Sequence, residues 1–87
     1  MQNVTYILFS DKLKRYYVGH TDNMIKRLDE HNRGKSKYTK KGIPWRLVQI
    51  FELTNKKDAY NLEIKIKKRG CKRFLEENKQ IDKNLVL

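Results

Sequence analysis

The sequence predicts an α+β fold: a small three-stranded antiparallel sheet flanked by helices, in the order ββαβα(α). Two β-branched and aromatic stretches, NVTYILF at residues 3–9 and RYYVGH at 15–20, are separated by a short polar turn, which implies an antiparallel hairpin. A third such stretch, WRLVQIFEL at 45–53, lies between two segments whose apolar residues recur at helical spacing.

Residues 3–9 leave little room for a helix cap, so their composition favours a strand, and SDKLKR then turns the chain into the second strand. In TDNMIKRLDEHNRG, Thr21, Asp22 or Asn23 can cap a helix over about 22–32. Its apolar positions are Met24, Ile25 and Leu28, and Gly34 follows its end. RGKSKYTKKGIP, residues 33–44, carries five basic residues, two glycines and the only proline, and reads as an exposed loop. After the third strand, TNKKDAYNLEIKIKKRG opens with Thr54 or Asn55 as cap and closes on Gly70, a helix of roughly four turns. CKRFLEEN, 71–78, suggests a further short helix, and the tail at 79–87 is open between a docked end and a frayed one.

With 87 residues the chain can bury one modest core, so it is expected to be a single domain, 1–87, with its core at about 3–75. Lys and Arg number 21 against 10 Asp and Glu, a formal charge of +11 that points to a polyanionic partner, nucleic acid first. The basic residues are spread along the chain and form no single amphipathic membrane-binding helix. VTYILF is too short for a membrane span or a signal-peptide core, so a cytoplasmic protein is expected. One cysteine, Cys71, excludes an internal disulfide, and with only His20 and His31 beside it there is no zinc-finger ligand set.

One acid stands where an apolar residue is expected. Ala59, Leu62, Glu63 and Ile66 form the core-facing stripe of the long helix, and a carboxylate is seldom buried there unless it is paired or bound. Glu63 therefore either faces a site or lies at the stripe's edge as the i, i+4 partner of Lys67. Arg27 and His31, also i, i+4, can reach one place; equally, Arg27 belongs to a solvated face with Asp29 and Glu30, and His31 near a helix C-terminus suits the helix dipole. Tyr6 and Tyr17 fall on adjacent strands, as core tyrosines or as a pair of phenols on one face. Gly19 marks a turn or a close approach.

In order, TYI at 5–7, YVG at 17–19, Arg27 and His31 on the next helix, KYT at 37–39, PWRLV at 44–48 and AYNLEIKIKK at 59–68 resemble the GIY-YIG nuclease superfamily. The likeness covers residues 3–75 and is greatest to small stand-alone bacterial members resembling the N-terminal catalytic domain of the bacterial repair excinuclease. Thr5 replaces the first glycine of the name motifs and Val18 the second isoleucine.

The resemblance implies divalent-metal-dependent endonuclease activity on DNA, with little intrinsic sequence preference, in repair or recombination. It implies that Tyr6 or Tyr17 positions or deprotonates the attacking water, that Arg27 lies against the scissile phosphate, that His31 assists Tyr17 or contacts a phosphate, and that Glu63 holds Mg²⁺ or Mn²⁺. Since a phenol is a weak base at neutral pH, the cationic surroundings are expected to favour its ionised form. Lys35, Lys37, Lys40, Lys41, Lys65, Lys67, Lys68, Arg69, Lys72 and Arg73 are candidate nucleic-acid contacts, or simply a solvated face. Asn78 does not align as a further site residue. The alternative function is a nucleic-acid-binding module that keeps the nuclease fold with little or no catalysis; loss of Arg27 or Glu63 would favour it, and both are present.

Overall fold

The computed structural model describes the backbone of residues 3–86 and the side chains of residues 3–78. Strands β1 (Asn3–Ser10), β2 (Arg15–Thr21) and β3 (Trp45–Leu53) form one antiparallel sheet in the order β2-β1-β3. The expected hairpin is the β1–β2 pair, and β3 returns to the other side of β1, making β1 central and β2 a free edge. In this register Tyr6 faces Gly19 and Leu8 faces Tyr17.

Helix α1 (Met24–Asn32) starts at Asn23, whose side chain accepts from the Lys26 amide, and α2 (Lys56–Arg69) starts at Asn55, which accepts from the Asp58 amide. Gly70 ends α2 with φ of +93°, a conformation that costs a glycine little. Helix α3 (Cys71–Val86) is longer than the short helix expected, because the chain restarts helically directly after that glycine. The tail's backbone is thus helical as far as residue 86, while the question of its docking concerns side chains outside the described residues. The basic loop 33–44 contains a short 3₁₀ turn, Lys40–Gly42.

The sheet is covered on both faces. Ile7, Val18, Ile66 and Phe74 form one core beneath α2 and α3, joined by Phe51, Leu62 and Leu75. Tyr6, Leu8 and Trp45 form the other, packed by Tyr17, Met24, Leu28 and Ile43. Alternation along the strands explains the division, since Tyr6 and Leu8 point opposite to Thr5 and Ile7. Ile25 departs from expectation: it is 87% exposed, while Met24 and Leu28 pack inward. At 100° per residue the inward face of α1 is Met24, Arg27, Leu28 and His31, which leaves Ile25 outside and turns two polar side chains inward. Among the described residues, no helix is long and apolar enough to cross a membrane.

Candidate active site

His31 is completely buried at the inner end of α1. Its Nε2 lies 2.9 Å from the Tyr6 hydroxyl and its Nδ1 lies 2.7 Å from the Thr39 hydroxyl. Burial is the main reason its pKa falls to about 4, with the nearby Arg27 charge acting in the same sense. The imidazole is therefore neutral at neutral pH, with one nitrogen a donor and the other an acceptor. The reading of His31 as a cation favoured by the helix dipole is replaced by that of a neutral link between two hydroxyls.

Tyr6 is 1% exposed, and burial pushes its hydroxyl up to about 12. The Arg27 guanidinium beside it pulls the other way but does not prevail. The expected phenolate is thus not the resting state of Tyr6: most of the chain's cations are exposed and solvated, and the loss of water around the buried ring is the larger effect. Gly19 is what lets this ring lie across β2. A Cβ there would sit 2.5 Å from the Tyr6 hydroxyl oxygen and 2.7 Å from the ring carbon bearing it. Tyr17, two residues before Gly19 on the same face, completes the aromatic wall, its ring centroid 6.4 Å from Tyr6 and 5.1 Å from His31. Arg27 reaches past Tyr6 and pairs with Glu30 at 3.2 Å on its own helix, as the solvated-face reading expects, yet its side chain is only 33% exposed.

Glu63 approaches from the opposite face of the sheet. It is 9% exposed, and each carboxylate oxygen has a partner: His20 Nδ1 at 2.6 Å from Oε1, and Lys67 Nζ at 2.6 Å from Oε2. Burial alone would raise its pKa, but these hydrogen bonds outweigh burial and hold the carboxyl below its ordinary range, so it is ionised at neutral pH. The reading of Glu63 as the i, i+4 partner of Lys67 at the margin of the stripe therefore describes its contacts, although the residue is only 9% exposed. Gly19, over which the Tyr6 ring lies, is followed directly by His20, which holds Glu63, so the two groups of side chains flank the end of β2 from its two faces.

The arrangement bears on a divalent metal through its donor set. Among the described residues no group of three or more His, Cys, Asp and Glu could cage an ion. One ionised carboxylate that already holds a cationic ammonium suits an ion that keeps most of its water, as Mg²⁺ does. Glu63 would hold it, with Lys67 giving way.

Of the candidate basic residues, Lys35, Lys37, Lys40 and Lys41 are all exposed on the loop that follows α1 and touches His31 through Thr39. Lys67 is engaged by Glu63. Lys65, Lys68 and Arg69 line a groove between α2 and α3 with Phe74, Glu77 and Asn78, and Arg69 is paired with Glu77. Lys72 and Arg73 line a second depression with Tyr16 and Glu76. Neither surface includes Glu63. Asn78 donates to the Phe74 carbonyl of its own helix.

Two residues at the site are not among the sequence candidates. His20 immediately follows the YVG motif, and its place at the end of β2 is the available signal. Thr39 closes KYT, but its tie to His31 joins a loop to a helix and has no periodicity. That tie is rigid, since the Thr39 carbonyl accepts from Trp45 Nε1 at 2.6 Å and from the Gly42 amide, while Asn32 brackets the Trp45 backbone at 2.7 Å and 3.0 Å.

Residues 2–77 match the family model of the GIY-YIG catalytic domain. A UPF0213 protein of Streptococcus pneumoniae serotype 4 is 41% identical over 75 residues, covering 82% of this chain and 74% of the relative. A UPF0213 protein of Syntrophus aciditrophicus is 40% identical over 82 residues, covering 91% and 92% respectively. The solution NMR structure of UPF0213 protein BH0048 from Bacillus halodurans is similar with a TM-score of 0.52 at 26% identity, over 94% of this chain and 84% of that one. The chain therefore belongs to the GIY-YIG nuclease family, and its relatives within it include UPF0213 proteins.

Proposed function

We propose that residues 3–75 form a divalent-metal-dependent endonuclease domain that hydrolyses DNA phosphodiester bonds with little sequence preference. The observation that carries this reading is that the Tyr6–His31 pair, with Arg27 beside it, and an ionised, nearly buried Glu63 held by His20 flank one end of β2, at Gly19 and His20. These groups are paired among themselves, and what points to chemistry is their combination in one place of a proton-transfer pair, a guanidinium and a carboxylate.

In this reading Arg27 holds two oxygens of the scissile phosphate, exchanging its Glu30 contact for the substrate. Tyr6 or Tyr17 orients the attacking water. Where Tyr6 does so, its proton passes to His31 Nε2 as it takes one from the water, and Thr39 accepts from Nδ1–H to keep Nε2 the acceptor. With the phenol near 12 and the imidazole near 4, that transfer occurs in step with attack and not before it. Mg²⁺ or Mn²⁺ on Glu63 would neutralise charge on the phosphate and on the departing 3′ oxygen. The loop lysines contact the backbone, so affinity falls steeply with salt.

The test is nicking of supercoiled plasmid with Mg²⁺ or Mn²⁺. Cleavage that is lost with EDTA, in Glu63→Ala and in Arg27→Ala supports the reading; cleavage that survives in Glu63→Ala, or none by the wild type, transfers support to a binding module without catalysis.

A further inference from the structure

The loop 33–44 holds a feature that proton transfer does not use. Tyr38 is 90% exposed, while its neighbour Thr39 is 1% exposed and fixed to His31. Lys35, Lys37, Lys40 and Lys41 around it are exposed as well. A lone exposed aromatic is ordinary on a protein surface. This one is not free to swing with its loop, because Thr39 is held at its side chain, its carbonyl and its amide, the last donating to Ser36. The loop thus presents one flat ring outward, amid cations, from a backbone position fixed by its neighbour.

That place is next to the site. With one peptide between Tyr38 and Thr39, and the Thr39 hydroxyl 2.7 Å from His31, the Tyr38 Cα lies within roughly 9 Å of the imidazole. Phosphates captured by the lysines would bring nearby bases to the ring. In a duplex those bases are stacked and paired and their faces are closed; an unpaired base has a free face, and aromatic–base stacking accepts any base.

We propose that Tyr38 is a stacking platform for an unpaired base, so that the preferred substrate is DNA with single-stranded character beside the scissile phosphate. The proposal rests on the nuclease reading only for the position of that phosphate. The lysines bind either form through phosphates, and Tyr38 discriminates between them.

The test is equilibrium binding in EDTA, where no cleavage intervenes, to a fluorescent single strand and to the duplex of the same sequence. Tyr38→Ala is expected to weaken single-strand binding about fivefold to a hundredfold, with the duplex changed less than about twofold. Tyr38→Phe retains the preference, and Lys37→Ala weakens both substrates alike. Since Tyr38 is exposed, its truncation leaves the core intact, as the melting temperature will register. An unchanged single-strand affinity in Tyr38→Ala, or an equal loss on both substrates, overturns the proposal. If the protein nicks plasmid yet Tyr38→Ala binds as wild type, stacking fails and the nuclease reading stands. If the selective loss appears in a protein that never nicks, the nuclease reading fails and stacking stands.

Discussion

Gly19→Ala places a methyl group where the Tyr6 ring lies. The added Cβ would be 2.5 Å from the hydroxyl oxygen, 0.9 Å short of the 3.4 Å at which ordinary contact begins. Gly19 has no positive φ, so its backbone accepts alanine and the whole effect comes from the ring. Tyr6 is enclosed by Tyr17 and His31 and must shift as a body, which lengthens or breaks its 2.9 Å bond to His31. Overpacking of this kind costs about 1–3 kcal/mol, or roughly 5–20 °C of melting temperature in a domain this small. If Tyr6 acts as proposed, the rate should fall further than stability, by about a hundredfold or more, because the displaced hydroxyl would lie on the proton path. Gly70→Ala is the comparison: φ is +93° and ψ 128°, with nothing within 4 Å of the new methyl, so it should cost about 1–3 kcal/mol and leave the rate of the folded protein unchanged. Melting curves and plasmid nicking on both variants decide the matter. Wild-type nicking by a folded Gly19→Ala protein would refute the placement of Tyr6 over Gly19 as a catalytic constraint.

Thr39→Val keeps the shape of the side chain and removes the hydroxyl, leaving His31 Nδ1 unpartnered at a cost of about 1–3 kcal/mol; denaturant melts should show the loss, and a variant as stable as wild type would mean the bond contributes nothing. His31 titrates in the unfolded chain near its ordinary 6.5 and in the folded one near 4, so the unfolded state binds the extra proton between those values. Stability should therefore decline as pH falls from 6.5 towards 4, by up to about 3 kcal/mol from this residue. His31→Phe should flatten the slope in that window, and an unaltered slope would assign it to other groups. Lys67→Met removes the ammonium that occupies Glu63 and should tighten Mn²⁺ binding a few-fold in titration calorimetry without DNA, modestly because Lys67 is 55% exposed; unchanged or weaker binding would show that Lys67 does not compete with the ion.

The parts of the molecule visible in the sequence are those with a period. The strands, the two capped helices and the anomaly of Glu63 follow from alternation and from a carboxylate in an apolar stripe. Arg27 and His31 stand out in the sequence only as neighbours on a helix; that they share its inward face follows from Ile25 pointing outward. His20 and Thr39 are hidden for a different reason. Their partners lie across the sheet or across a loop, and no local spacing encodes such contacts. The protonation of Tyr6 is not legible either, because composition counts charges but does not report which of them are solvated. Eighty-seven residues with a charge of +11 suggest a phenolate, while a ring that is 1% exposed dictates a phenol.

In the proposed function Tyr6, held on His31, acts in catalysis and is more than a satisfied core tyrosine. Tyr6→Phe removes one oxygen from the protein and leaves the ring's packing unchanged. Nicking of supercoiled plasmid in Mn²⁺ by this variant, with folding verified by its melting curve, tests that role most directly. A fall in rate of about a hundredfold to ten-thousandfold is predicted; a folded Tyr6→Phe protein that nicks as fast as wild type would contradict it.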